Sequence, residues 1–203
     1  MSKKPVIVFE GIECTGKSYH ISNVSKYLKK RKIDHIMIRE PGGSRNAEKI
    51  RKLILDKKSN FNKNTDLLLY LAARSENIDQ LKKNFGKKII LIDRFVDSTV
   101  AYQHYGFGVN LNLINTINKH LLNKFKVNFT FLNTVDKKNM VKRFKSRKSL
   151  NRYDKFNFSY YQKVQKGFLM QAKKNKKKYQ IVNSHLDKNI NKFLIIEKIK
   201  KLI

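Results

Sequence analysis

Residues 11–18, Gly-Ile-Glu-Cys-Thr-Gly-Lys-Ser, read G-x-x-x-x-G-K-S and follow four apolar residues, Val6, Ile7, Val8 and Phe9, and a single Glu10. A short buried strand that runs into a glycine-bounded turn and then into a helical stretch constrains the chain more than any other feature. Gly11 and Gly16 permit backbone dihedrals that a Cβ resists, so successive N–H groups can turn inward around a phosphate. Lys17 adds a point charge for β- and γ-phosphates and Ser18 offers a hydroxyl to Mg²⁺. The helix that starts there points its positive end at the anion. Gly11, Ile12, Glu13, Cys14, Thr15, Gly16, Lys17 and Ser18 therefore form the candidate nucleotide-binding set. The bland alternative is a turn that only joins a strand to a helix. The apolar strand before it and the helical stretch behind it favour nucleotide binding.

Strand–helix alternation continues downstream. Residues 17–31 place Ile21, Val24, Tyr27 and Leu28 on one helical stripe. Residues 33–39 read as a strand broken by Glu40-Pro41-Gly42-Gly43, and 46–55 as a short helix. Thr65-Asp66 is expected to cap a helix running to about Phe85. An apolar strand over 87–93 ends in Asp93. Residues 95–104 and 111–122 read as helices, 127–132 as a strand and 136–147 as a helix. Helices over 158–174 and 187–203 flank a last strand at 179–182. Such alternation implies right-handed crossovers and a mostly parallel five-stranded sheet covered on both faces, a three-layer α/β sandwich of P-loop kinase type. The 203 residues suit one domain with a mobile basic lid at about 143–156.

Lys and Arg number 46 against 15 acids, a formal net charge of +31. That field favours polyanions. The lysines are scattered rather than gathered in a tail, and the chain is rich in Asn, Ile and Phe as well, so drift in composition spread over solvated faces is the better reading. One cysteine excludes an internal disulfide and any multi-cysteine metal site. The first strand begins at once, which leaves no room for a signal peptide, and no apolar run reaches the ~18 residues of a membrane span. A cytoplasmic protein with no membrane and no specific nucleic-acid partner is the expectation.

Three constellations carry further chemistry. Asp93 closes an apolar strand, at the carboxyl rim where open parallel sheets collect ligands, and there it can hold Mg²⁺. Arg94 beside it can make a forked bond to a phosphate. Tyr70 and Arg74 lie four apart on one helix face, a ring and a guanidinium suited to a nucleobase. Arg143, Lys145, Arg147 and Arg152 crowd the basic segment, where a flap could exclude water and neutralise charge on a transferred phosphate. Each has a plainer reading: a turn cap, a core tyrosine beside a surface arginine, a solvated charge run.

These residues resemble the bacterial thymidylate kinases, of the subtype with lid arginines. The similarity is spread over nearly the whole chain: Phe9 to Ser18, Arg39-Glu40-Pro41-Gly42-Gly43, Leu68 to Arg74, then Asp93-Arg94-Phe95 with Ser98 and Ala101-Tyr102-Gln103, and the basic run 142–152. The resemblance implies the nucleoside monophosphate kinase fold, a homodimer, ATP and Mg²⁺, and phosphorylation of dTMP. It places Glu13 at the sugar 3′-hydroxyl, Arg74 at the thymine edge and Tyr70 on the ring. Arg94 falls on the dTMP phosphate and Tyr102 where a ribose 2′-hydroxyl would be crowded. Arg39, Ser98, Thr99 and Gln103 line the same pocket, Ser18 and Asp93 manage the metal, and Arg143 and Arg147 approach the ATP phosphates from the lid. Lys17, Asp93, Arg94, Arg143 and Arg147 become the candidate catalytic set. Cys14 stands where the family usually has Gly. The alternatives are a deoxynucleoside kinase, a kinase for another monophosphate, or a basic nucleic-acid-binding ATPase.

Overall fold

The computed structural model describes residues 4–146 and 151–203. Five strands pair in parallel in the order β2-β3-β1-β4-β5: β1 (Val6–Glu10), β2 (His35–Arg39), β3 (Ile89–Asp93), β4 (Phe129–Thr134) and β5 (Tyr179–Asn183). β1 and β3 lie inside the sheet with both faces covered, which is why they are runs of buried aliphatic and aromatic residues rather than alternating ones. Phe9 pairs with Asp93, so the loop after β1 and the carboxylate ending β3 emerge side by side at one rim.

On one face, Ile7, Phe9, Phe129 and Phe131 pack against Ile21, Val24 and Leu28 of α1 (Lys17–Lys30) and Ile195 and Ile199 of α8 (Lys188–Leu202). On the other, Val8, Ile90 and Ile92 meet Ile78 and Leu81 of α3 (Lys63–Asn84), with Phe95 and Phe125. Tyr161, Val164 and Phe168 of α7 (Phe158–Lys174) build a further core with Tyr102 and Leu132. Among the described residues the remaining α-helices are α2 (Arg45–Leu55), α4 (Val96–Thr99), α5 (Leu111–Leu122) and α6 (Lys137–Lys145).

Two elements depart from expectation. α3 starts earlier than Thr65-Asp66: the Asn62 side chain accepts from the backbone N–H groups of Asn64 (3.0 Å) and Thr65 (2.9 Å) and is the cap. Asp66 is released for tertiary bonds and is buried. Residues 95–104 are not one α-helix. α4 ends at Thr99 and a π-helical turn spans Val100–Gly106. The widened turn buries four successive residues, Val100 to Gln103, an arrangement common where a helix serves a site. α7 presses close to it, since a Cβ on Gly167 would sit 2.6 Å from the Tyr105 ring.

Candidate active site

A cleft of about 390 Å³ opens at the carboxyl rim of β1 and β3. One end is the glycine-bounded loop. Gly11 adopts φ 134°, and a Cβ there would fall 2.1 Å from the Asn133 carbonyl oxygen, so only glycine fits. Cys14 takes the left-handed conformation at φ 59°, a setting that costs a side-chain-bearing residue about 1 kcal/mol and that a glycine would take freely. Lys17 is buried and donates to the carbonyls of Gly11 and Ile12, both at 2.8 Å. Burial, with the nearby Arg94 charge, lowers its ammonium to about 8, against the pull of Asp93 and Glu13. Ser18 Oγ donates to Asp93 Oδ2 at 3.4 Å.

The corner after β3 is tightly bonded. Arg94 sits at φ 65°, a strained backbone of the kind found at sites. Its guanidinium donates to the Gly11 carbonyl (2.8 Å) and to Glu13 Oε1 (2.9 Å) and lies 5.2 Å over the Tyr102 ring. Tyr102 Oη donates to Glu13 Oε2 at 2.5 Å. Burial works to raise the Glu13 carboxyl, but Arg94, Lys17 and the Tyr102 bond outweigh it and hold it below the usual range. Beneath them Glu10 accepts from the backbone N–H of Phe95 (2.8 Å) and Ser98 (3.2 Å) and from Ser98 Oγ (2.5 Å). Burial and the neighbouring Asp97 raise Glu10 to about 7. A carboxylate under the corner thus fixes the turn that presents Arg94.

The other end of the cleft is a wall from α3. Tyr70 and Arg74 both line it, as their spacing predicts. Arg74 is only 2% exposed and its guanidinium is held by three partners: Nε donates to Glu40 Oε2 (2.8 Å), one amino group to Asn118 Oδ1 (2.6 Å) and the other to Thr99 Oγ1 (3.0 Å). Thr99 is therefore an acceptor for Arg74. Gln103 is buried and donates to Asp66 Oδ2 at 3.4 Å. Arg39 lines the mouth, half exposed, paired with Glu48 at 2.8 Å.

Glu13 to Ser18 and every residue predicted between Asp93 and Gln103 meet in this one cleft. Arg143 does not line it. From α6 it donates to the Cys14 carbonyl (2.8 Å) and the Ser184 carbonyl (2.7 Å), gripping the loop from outside. Arg147 lies outside the described residues. Sequence reasoning missed Glu10, Arg51 and Tyr153. Arg51 lines the cleft and donates to the Pro41 carbonyl at 2.6 Å. The Tyr153 ring meets Tyr70 and Tyr102 edge-on at 6.4 and 5.9 Å. Glu10 was available as a polar residue at the end of an apolar strand, whereas nothing local marks the other two.

A parallel sheet in this order, with the loop after one central strand and a carboxylate–arginine step after its neighbour, defines a P-loop fold of the nucleoside monophosphate kinase type. The family model for thymidylate kinase matches residues 9–194. The chain belongs to the thymidylate kinase family. It is 39% identical over 118 residues to the thymidylate kinase of Kosmotoga olearia, an alignment covering 56% of this chain and 55% of that protein. With that of Nostoc punctiforme it shares 43% over 117 residues, 56% of each. These alignments span little more than half the length of the curated relatives. The crystal structure of thymidylate kinase from Ehrlichia chaffeensis matches over 97% of this chain and 98% of its own, with a TM-score of 0.78 and 28% identity.

Proposed function

We propose that the protein transfers the γ-phosphate of ATP to dTMP, giving ADP and dTDP on the way to dTTP for DNA replication. The observation that carries this reading is the shared cleft: the phosphate loop at one end, the Tyr70–Arg74 wall at the other, and the Arg94–Glu13 pair between them. Donor and acceptor phosphates would meet end to end, held by Lys17 and Arg94. Little covalent work falls to the protein, so alignment and charge supply the rate. Glu13 would meet the sugar 3′-hydroxyl and Tyr102 the 2′ side. Tyr70 would stack on the base while Arg74 turns its held edge toward it, and Ser98, Thr99 and Gln103 would complete the pocket around them. Arg39 would guard the mouth. Arg143 would act by shaping the loop, and the segment 143–156, with Arg147, would close as the lid.

Mg²⁺ fits this site. Ser18 and Asp93 present a hydroxyl and a carboxylate, hard oxygens of the type the ion takes alongside nucleotide phosphates. Bound there, the ion would offset phosphate charge. Among the described residues no group of three or more His, Cys, Asp or Glu side chains offers a competing position.

A homodimer through the sheet-covering helices is part of the proposal, supported by Leu53, Leu68 and Leu113 exposed on α2, α3 and α5 and testable by light scattering. We also place the protein in the cytoplasm; among the described residues no helix is long and apolar enough to cross a membrane. A coupled ADP-release assay over nucleosides and monophosphates tests the activity. The expected result is turnover with dTMP well above the rest. Equal rates with another monophosphate, or preference for thymidine, would overturn it.

A further inference from the structure

A second cleft, of about 550 Å³, opens at the start of α3 and shares no lining residue with the first. Five of its eleven lining residues are Lys or Arg, against 46 of 203 in the chain, so the scatter that explains the net charge does not explain this cluster. Lys57, Lys58, Lys63 and Lys155 are exposed around it. Among the described residues its one lining carboxylate, Asp66, is buried and already used: it pairs with Arg152 and accepts from Tyr153 Oη at 2.9 Å. Four lysines therefore line the cleft with no lining carboxylate left to them; Lys155 Nζ donates to the Lys57 carbonyl at 3.0 Å.

The cleft is also aromatic. Phe107 and Phe156 meet at 5.5 Å between ring centroids, and Phe61 lies under the Arg152 guanidinium at 5.4 Å. Arg152 is 12% exposed, and its Nε is a buried donor without a hydrogen-bond partner. Buried donors of this kind are uncommon and call for an acceptor. Lysines around phenylalanine rings match a ligand that carries several negative charges and a flat ring.

We propose that this cleft binds a second nucleotide, its phosphates among Lys57, Lys58, Lys63 and Lys155 and its base against Phe107 and Phe156. The inference goes beyond the dTMP-kinase reading and does not depend on it. The site is not isolated from the first cleft, because Asp66 joins Arg152 to Tyr153 and Gln103, which line that first cleft.

The test is a calorimetric titration of ATP, and separately of inorganic tripolyphosphate, into the full chain. Saturating dTMP and physiological salt are present, and magnesium is omitted so that no turnover is read. Lys58→Glu/Lys63→Glu should remove one equivalent of ATP relative to wild type. Lys82→Glu/Lys83→Glu makes the same charge change at the far end of α3 and should remove none. An unchanged count in the first variant, or the same loss in both, overturns the site. Tripolyphosphate binding this cleft as tightly as ATP overturns the nucleotide assignment. Because the count falls by one whatever the phosphate loop binds, failure of the kinase reading would not be mistaken for failure here.

Discussion

Arg74→Met separates two roles that one residue carries in this fold. The guanidinium is buried, pairs with buried Glu40 at 2.8 Å and donates to Asn118 Oδ1 and Thr99 Oγ1. Methionine keeps an unbranched stem but leaves the Glu40 carboxylate alone in the interior. Removing one partner of a buried pair costs about 3–5 kcal/mol, and in a chain of this size that is a fall in Tm of about 6–20 °C. The pH dependence fixes the cause. Burial already raises Glu40 above its ordinary 4.5 despite Arg74, and losing the arginine raises it further. A raised folded pKa contributes stability that is present at acid pH and lost as pH rises through the folded value. The variant should therefore be hurt more at about pH 8 than at about pH 5. Adding Glu40→Gln removes the uncompensated charge and should return a good part of the loss. Ligand-free thermal melts at the two pH values measure all of this. Equal loss at both, or a loss under about 1 kcal/mol, would refute the buried-pair reasoning and leave Arg74 as a base reader only.

Other outcomes follow from the same geometry. Lys17→Ala should lower turnover at least about 100-fold, since it removes the positioned cation at the donor phosphates; wild-type-like turnover would dismiss the donor site. In the free wild-type enzyme the Lys17 ammonium is lost as pH rises through about 8, so kcat/KM for ATP should fall above that point, and a flat profile to higher pH would contradict it. Arg94→Ala should raise KM for dTMP and lower kcat; an unchanged dTMP saturation curve would remove the acceptor assignment. Glu10 is raised to about 7, so it contributes stability that is present below 4.5 and lost through 7. Glu10→Gln should flatten that part of the Tm-against-pH curve, and an unaltered slope would count against the carboxylate under the corner.

Much of this was legible where local chemistry dictates structure. Ile89 to Ile92 read as an interior strand, and the glycines at 11 and 16 marked a loop whose backbone takes positive φ. Tyr70 and Arg74 fell on one wall because helix spacing alone puts them there. What was not legible depends on how elements meet. The reach of Arg143 to the back of the loop depends on where α6 sits beside the Cys14 and Ser184 carbonyls, not on its place in a basic run. Asn62 caps α3 and so leaves Asp66 to buried tertiary bonds, and the π turn at Val100–Gly106 packs closely against α7. Arg51 and Tyr153 enter the cleft from segments with no motif, so only the folded chain brings them in.

The most direct test is a crystal grown with ADP and dTMP. The dTMP ring should lie beside Tyr70 and Arg74, with its phosphate at Arg94 and pointing toward the ADP held by residues 11–18. A dTMP molecule seated anywhere other than between that wall and the Asp93–Arg94 corner would contradict the account.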